Sequence, residues 1–250
     1  MRFSLPMLPE SSVRALPSRR AIAWTMAAAL ALFAIIATAT LVITGGRGAG
    51  ASASGPSLGL DLWAARHVAA LRAPAVTPVA WFFTETGSTV GLTILTSVVV
   101  VALALRGRRA EALILALSIS GSAILTTALK ELFNRPRLDH ELLLGSPAHS
   151  AAFPSGHSLN TVVFSGLLAG FALISASSRG ARAGAVVAAV ALPAAVGASR
   201  LYLGYHRLTE VLAGWAVGLA WVCATALVVI ALSRQRERAI DRTPRVPAQS

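Results

Sequence analysis

The chain has 250 residues, 55% of them hydrophobic and 13% charged, with a mean hydropathy of +0.69. A soluble domain commonly carries about a quarter of its residues as charges, so this composition excludes an ordinary water-soluble globule and points to the bilayer. The net charge is +12, from 22 Lys+Arg against 10 Asp+Glu. The basic residues lie in short blocks between apolar runs, which suits the orientation of membrane helices rather than a nucleic-acid surface.

Residues 1–20 read as a basic N-terminal tail, and the first apolar run, Ala21–Thr44, as a membrane span. That run is longer than the core of a signal peptide, so the helix is expected to be retained although small residues follow at Gly45–Gly55. The stretch Gly46–Pro78 begins rich in Gly, Ala and Ser. It then sets Leu58, Leu60, Leu62, Trp63 and Leu71 among Asp61, Arg66 and Arg72, which fits an amphipathic helix on the outer interface. Further spans are predicted over Thr89–Leu105, Ala112–Phe133, Ser158–Ser175, Ala183–Leu203 and Val211–Leu232, followed by a basic tail over 233–250. The second and fourth are short for a bilayer, so tilt or a flanking turn must complete them. The fold class is an all-α polytopic membrane protein with six transmembrane helices in one domain, residues 21–232. Abundant alanine implies close packing through small residues. Cys223, the single cysteine, reads as a packing residue of the sixth span.

The arginines orient these spans. The N-terminal Arg2, Arg14, Arg19 and Arg20, the Arg106–Arg109 loop, Arg179 and Arg182, and the tail after Ser233 fall on one side. Together they hold 14 of the 22 Lys+Arg. The positive-inside rule puts that side, and both termini, in the cytoplasm.

Three clusters of chemical groups then fall on the outer side. In Lys130-Glu-Leu-Phe-Asn-Arg-Pro-Arg137, the outer cations lie seven positions apart, close to two helical turns, so both can face one pocket. Pro136 disfavours helix at Arg135 and leaves Arg137 on a loop. Alone, such a cluster is more often a snorkelling anchor near headgroups. In Pro154-Ser155-Gly156-His157, Ser155 is placed to cap the fourth span, and Gly156 lets backbone approach an anion at the helix N-terminus. An ordinary cap beside an interfacial histidine is the plain alternative. In the third cluster, Ser199 to Glu210, His206 and Glu210 lie one turn apart if helix begins near Leu208. A carboxylate there can orient an imidazole for nucleophilic attack, or form a merely structural hydrogen bond. Together the clusters offer cations, two histidines, a carboxylate and free backbone N–H groups, the equipment for a phosphoryl transition state. No HExxH, paired CxxC or acidic cluster suggests a catalytic metal.

The three clusters resemble the signature of the type 2 phosphatidic acid phosphatase (PAP2) superfamily, K-x6-R-P, P-S-G-H and S-R-x5-H-x3-D. Lys130 and Arg137 match the first part, Pro154 to His157 the second, and Ser199, Arg200 and His206 the third. The resemblance runs from about Asp61 to Trp221, includes the six-helix PAP2/haloperoxidase-like plan and points to the membrane lipid phosphatase branch. It implies a metal-independent phosphatase, without cofactor, acting on a lipid phosphate or diphosphate at the outer membrane face. A polyprenyl diphosphate such as undecaprenyl diphosphate, a carrier of the cell envelope, is the favoured substrate. His206 would take up the phosphoryl group as a phosphohistidine, oriented by Glu210, and His157 would protonate the leaving oxygen and then activate water. Lys130, Arg137, Ser155, Gly156 and Arg200 would bind the phosphoryl oxygens. Expected partners are the lipid substrate and the bilayer, not nucleic acid. The alternatives are a lipid-linked phosphotransferase with the same pocket and a non-catalytic membrane transport or structural protein. Two positions depart from the signature: Leu138 stands in place of proline, and Glu210 in place of aspartate. Outside the motifs, His67, His140 and His149 read as solvated loop residues, and Trp24 and Trp81 as interface anchors.

Overall fold

The computed structural model describes residues 8, 13–44, 59–137, 142–147, 150–176 and 178–241, and these are helix, turn and loop without strand. In chain order the described helices are α1 (Arg19–Thr44), α2 (Gly59–Ala70), α3 (Thr77–Thr86), α4 (Thr89–Leu105), α5 (Arg109–Phe133), α6 (Gly156–Ser175), α7 (Arg179–Tyr202) and α8 (Leu208–Asp241). Helices α1, α5, α6, α7 and α8 are each long and apolar enough to cross a bilayer. Helices α3 and α4 are long and apolar enough only as a pair, and they meet at a bend of 57°. Ser88 accounts for the break, because its hydroxyl accepts the Gly91 N–H at 3.0 Å and caps a new helix. The short second span is thus flanked by a second apolar helix at its N-terminal end.

Helix α6 is the centre of the bundle. Half of its apolar window is buried, more than in any other long span. It sends Leu159, Val163, Phe164, Leu167 and Phe171 into a core shared with Leu92 of α4, Leu115 of α5 and Val217 of α8. Helices α7 and α8 pack along α6, α1 along α8, α4 along α5, and α3 along α7. Two glycines let α8 lie against the α6 backbone. A Cβ at Gly214 would stand 2.6 Å from Ser155 O, and one at Gly218 2.7 Å from Leu159 O. Pro193 inside α7 frees the Ala189 carbonyl, and Ser165 of α6 donates its hydroxyl to that oxygen at 3.2 Å. Cys223 is buried with Val13, Ile22 and Ile230. On the outside, Ile35, Val98, Ile124 and Val187 are exposed, a surface that water would penalise and hydrocarbon accepts.

Two sequence expectations change in the tertiary structure. Helix α2 forms within the amphipathic stretch and exposes Leu60, Leu62 and Trp63, but its Asp61 is buried against the protein rather than turned to water. Trp24 is exposed on α1, whereas Trp81 packs edge-on to Tyr205 with ring centroids 6.2 Å apart, so it is a packing residue. His67 is exposed and hydrogen-bonds its own helix at Trp63 O. His140, His149 and Leu138 lie outside the described residues.

Candidate active site

The site is assembled where α5 ends, α6 begins and α7 turns into α8. Asn134, at φ 38°, closes α5, and the chain runs on through Arg135, Pro136 and Arg137 as a loop, in line with the constraint that proline places on the residue before it. Lys130, in the last turn of α5, donates to Ala151 O at 2.6 Å and to Ser150 Oγ at 3.2 Å. Arg137 donates through Nε to Ser150 O at 2.8 Å, through Nη2 to Ser150 Oγ at 3.1 Å and through Nη1 to Tyr205 O at 3.0 Å. Arg200, in the last turn of α7, lies over the Tyr205 ring, 4.0 Å from its centroid, and donates to Thr84 Oγ1 at 3.2 Å. Its Nε is buried without a partner. Among the described residues, these three cations rest on neutral acceptors, with no carboxylate in contact.

Ser155 caps α6. Its hydroxyl accepts from Ser158 N at 3.4 Å and from Ser158 Oγ at 3.0 Å, and its own N–H donates to Glu210 O at 3.0 Å. It is fully buried and lies behind the cavity wall, whereas its neighbours Gly156 and His157 line the cavity.

The turn between α7 and α8 carries His206. Gly204, at φ +79°, allows the turn to close tightly over the Leu142 carbonyl, where a side chain would collide. Helix α8 begins at Leu208, which puts Glu210 one turn beyond His206, and His206 Nδ1 meets Glu210 Oε2 at 2.8 Å. With Nδ1 engaged, Nε2 is the nitrogen left for the cavity, which His206 lines. Burial pushes the His206 imidazole down to about 4, with Arg200 and Arg137 adding to the effect and Glu210 opposing it. The ring is therefore neutral, and able to act as a nucleophile, at physiological pH.

Glu210 is completely buried and receives four hydrogen bonds. Arg135 and Arg207 donate to Oε1 at 3.0 and 3.1 Å, and His206 and the Arg207 N–H donate to Oε2 at 2.8 and 3.1 Å. Arg135 also contacts Asp61 at 3.4 Å, and Asp61 in turn accepts from Thr209 N at 2.9 Å and Thr209 Oγ1 at 2.8 Å. A carboxylate from α2 thus caps the N-terminus of α8, where the helix dipole favours negative charge. Asp61, Arg135, Arg207 and Thr209 were not singled out from sequence as site residues. The two arginines occupy unspecified positions of the signature, and Asp61 is far away in the chain.

The resulting cavity has a volume of about 420 Å³ and is lined by Lys130, Arg137, Gly156, His157, Arg200 and His206. Thr126 and Asn160 carry polar groups one turn deeper, and Leu92, Ile119 and Ala123 of α4 and α5 make an apolar extension. Among the described residues, no group of three or more His, Cys, Asp or Glu side chains is arranged to hold a metal ion. Positive charge, a helix N-terminus and a neutral imidazole around one opening with an apolar extension suit the phosphate of an amphiphile.

Residues 111–234 match the family model of the PAP2 superfamily. Over that segment, the chain belongs to the PAP2 superfamily. The PAP2 segment holds Lys130, Arg137, Ser155, Gly156, His157, Arg200, His206 and Glu210, while Asp61 and Thr84 reach the site from outside it. Phosphatidylglycerophosphatase B of Bacillus subtilis (strain 168) is 33% identical over 111 residues, 44% of this chain and 53% of that protein. The chain therefore aligns with about half the length of that relative. Among solved structures, the transmembrane PAP2-type phosphatidylglycerolphosphate phosphatase from Bacillus subtilis superposes with a TM-score of 0.67 at 24% identity, covering 88% of this chain and 100% of that one. Aquifex aeolicus LpxE follows with a TM-score of 0.54 at 23% identity, over 70% of this chain and 97% of that one. At these identities the two structures establish the fold, that of multi-pass PAP2 membrane proteins.

Proposed function

We propose that the chain is a metal-independent lipid phosphatase that opens on the extracytoplasmic face and works through a phosphohistidine at His206. The observation that carries this reading is the 2.8 Å contact between His206 Nδ1 and Glu210 Oε2, behind a ring whose other nitrogen meets a cavity lined by three cations. His206 Nε2 attacks phosphorus, forming an N–P bond as the bond to the leaving oxygen breaks. His157 gives that oxygen its proton and afterwards takes one from the water that cleaves the N–P bond. Lys130, Arg137, Arg200 and the backbone N–H groups at the start of α6, with Gly156, carry the charge that spreads over the equatorial oxygens. Ser155 contributes by holding that helix end.

The apolar extension between α4 and α5 suits a lipid tail, and a polyprenyl diphosphate is the favoured substrate. A phosphatidylglycerol phosphate is the second reading, supported by the activity for which the Bacillus subtilis relative is named. Phosphate release by the purified chain from a panel of polyprenyl diphosphate, phosphatidylglycerol phosphate and phosphatidic acid, in the presence of a chelator, tests the proposal. Release is expected; inactivity towards all three, or inhibition by the chelator, overturns it.

Orientation has its own test. Buried Cys223 gives a quiet background for thiol labelling. An impermeant reagent applied outside is expected to label Ser146→Cys, on the α5–α6 side, and to spare Gly180→Cys, where a side chain meets only open space. The reverse pattern reverses the topology.

A further inference from the structure

We propose that Arg207 is a positioning residue for the His206–Glu210 pair, fixing the nucleophile's turn against the anion-binding loop. This rests on the reading of His206 as nucleophile given above.

Arg207 is 4% exposed and does not line the cavity. Its guanidinium nevertheless reaches both halves of the machinery. The Nη1 group donates to Glu210 Oε1 at 3.1 Å and to Pro136 O at 2.9 Å, and the backbone N–H donates to Glu210 Oε2 at 3.1 Å. Pro136 directly precedes Arg137, and Arg137 Nη1 donates back to Tyr205 O, next to His206. Two guanidinium straps therefore cross between the same two loops in opposite directions. One comes from the anion-binding loop to the nucleophile's turn, the other from that turn to the anion-binding loop. Together they set the separation of the attacking nitrogen from the cation that receives the phosphoryl oxygen. Such separations control rate steeply, because a misplacement of about 1 Å can cost about 10²-fold.

The strap answers both departures from the signature. Glutamate has one more torsion than aspartate, so a carboxylate held only by His206 would leave the ring loosely aimed; Arg207 adds two of its four hydrogen bonds. Leu138 removes a ring that would stiffen the loop after Arg137, and a guanidinium on Pro136 O supplies restraint immediately before it. Charge also balances: Arg135 and Arg207 offset Asp61 and Glu210. Arg135 is the less informative target because it also supports Asp61 and the start of α8.

A double-mutant cycle on the full chain in detergent, reading phosphate release from dioctanoyl phosphatidic acid, tests this. Arg207→Gln is expected to lower kcat by about 10–100-fold, the range seen when a group supporting a functional ligand is removed, with KM changed by less than about 3-fold. Arg207→Lys, which keeps the charge but reaches one acceptor at a time, is expected to recover part of kcat. In a Glu210→Gln background the same Arg207→Gln change is expected to cost less than about 3-fold, because no carboxylate is left to aim. Equal fold-losses in both backgrounds, or a loss carried by KM, would reduce Arg207 to a fold-supporting residue and overturn the inference. Arg207→Lys carries the same cycle if the Gln variant fails to fold.

A second readout needs no substrate. The groups facing His206 are Glu210 from α8, Arg200 from α7, Arg137 from the loop, Lys130 from α5 and His157 from α6. Removing the Arg207 charge frees Glu210 to favour the imidazolium, so the pH midpoint of His206 labelling by diethyl pyrocarbonate, followed by mass spectrometry, is expected to rise. An unchanged midpoint overturns the inference. A wild-type chain inactive towards every lipid phosphate, but with the raised midpoint in the variant, would sink the proposed function and leave the positioning role standing.

Discussion

The cations of this site fall into two sets with opposite surroundings. Lys130, Arg137 and Arg200 rest on carbonyl and hydroxyl oxygens and a tyrosine ring, and they line the cavity. Arg135 and Arg207 contact Glu210, Arg135 also contacts Asp61, and neither lines the cavity. A cation held by neutral acceptors keeps its full charge for a ligand. A cation paired with a buried carboxylate is largely cancelled, and its value lies in geometry: breaking such a pair leaves an uncompensated charge in a low dielectric. The comparison separates groups available to bind an anion from groups that hold the binding groups in place.

His206 stands between the two sets, and its loss gives the largest expected effect. His206→Ala is expected to reduce phosphate release by about 10⁴-fold or more and to leave no acid-labile phosphoenzyme to trap. Radiolabel retained on that variant would move the phosphate acceptor elsewhere. Among the carboxylate-paired groups, Asp61→Ala is expected to cost about 3–5 kcal/mol of stability, seen as a lower Tm in detergent, because Arg135 loses a buried partner. An unchanged Tm would erase the distinction between the two sets.

The cavity cations are expected to behave the other way round. Lys130→Met should change stability by no more than about 1 kcal/mol while lowering kcat/KM by about 10²-fold. Glu210→Asp follows, with a fall in kcat of about 10-fold expected because the shorter side chain moves away from a ring it now meets at 2.8 Å. Retained activity would show that the start of α8 already suits aspartate. The smallest effect is a displacement in pH. Burial lowers the His206 pKa to about 4, so the neutral imidazole persists as pH falls. The acid limb of kcat/KM from this group is expected near pH 4, with activity lost below it rather than near 6.5, the ordinary value for histidine.

The sequence by itself determined the parts of this protein governed by local rules. Apolar runs fixed where the spans lie, because backbone polar groups in hydrocarbon must be satisfied within a helix. Pro136 marked the end of α5, Ser155 the cap of α6, and the i,i+4 spacing the meeting of His206 with Glu210. Only the tertiary structure decided that α3 meets α4 at a 57° bend, that Ser155 lies behind the cavity, and that Asp61 leaves the wet face of α2 to cap a helix 148 residues away. It likewise decided that Arg135 and Arg207 support Glu210 while Lys130, Arg137 and Arg200 face the opening. In the sequence all five are basic residues near helix ends. What separates them is which oxygen each meets across the bundle, and that is set by how the helices pack.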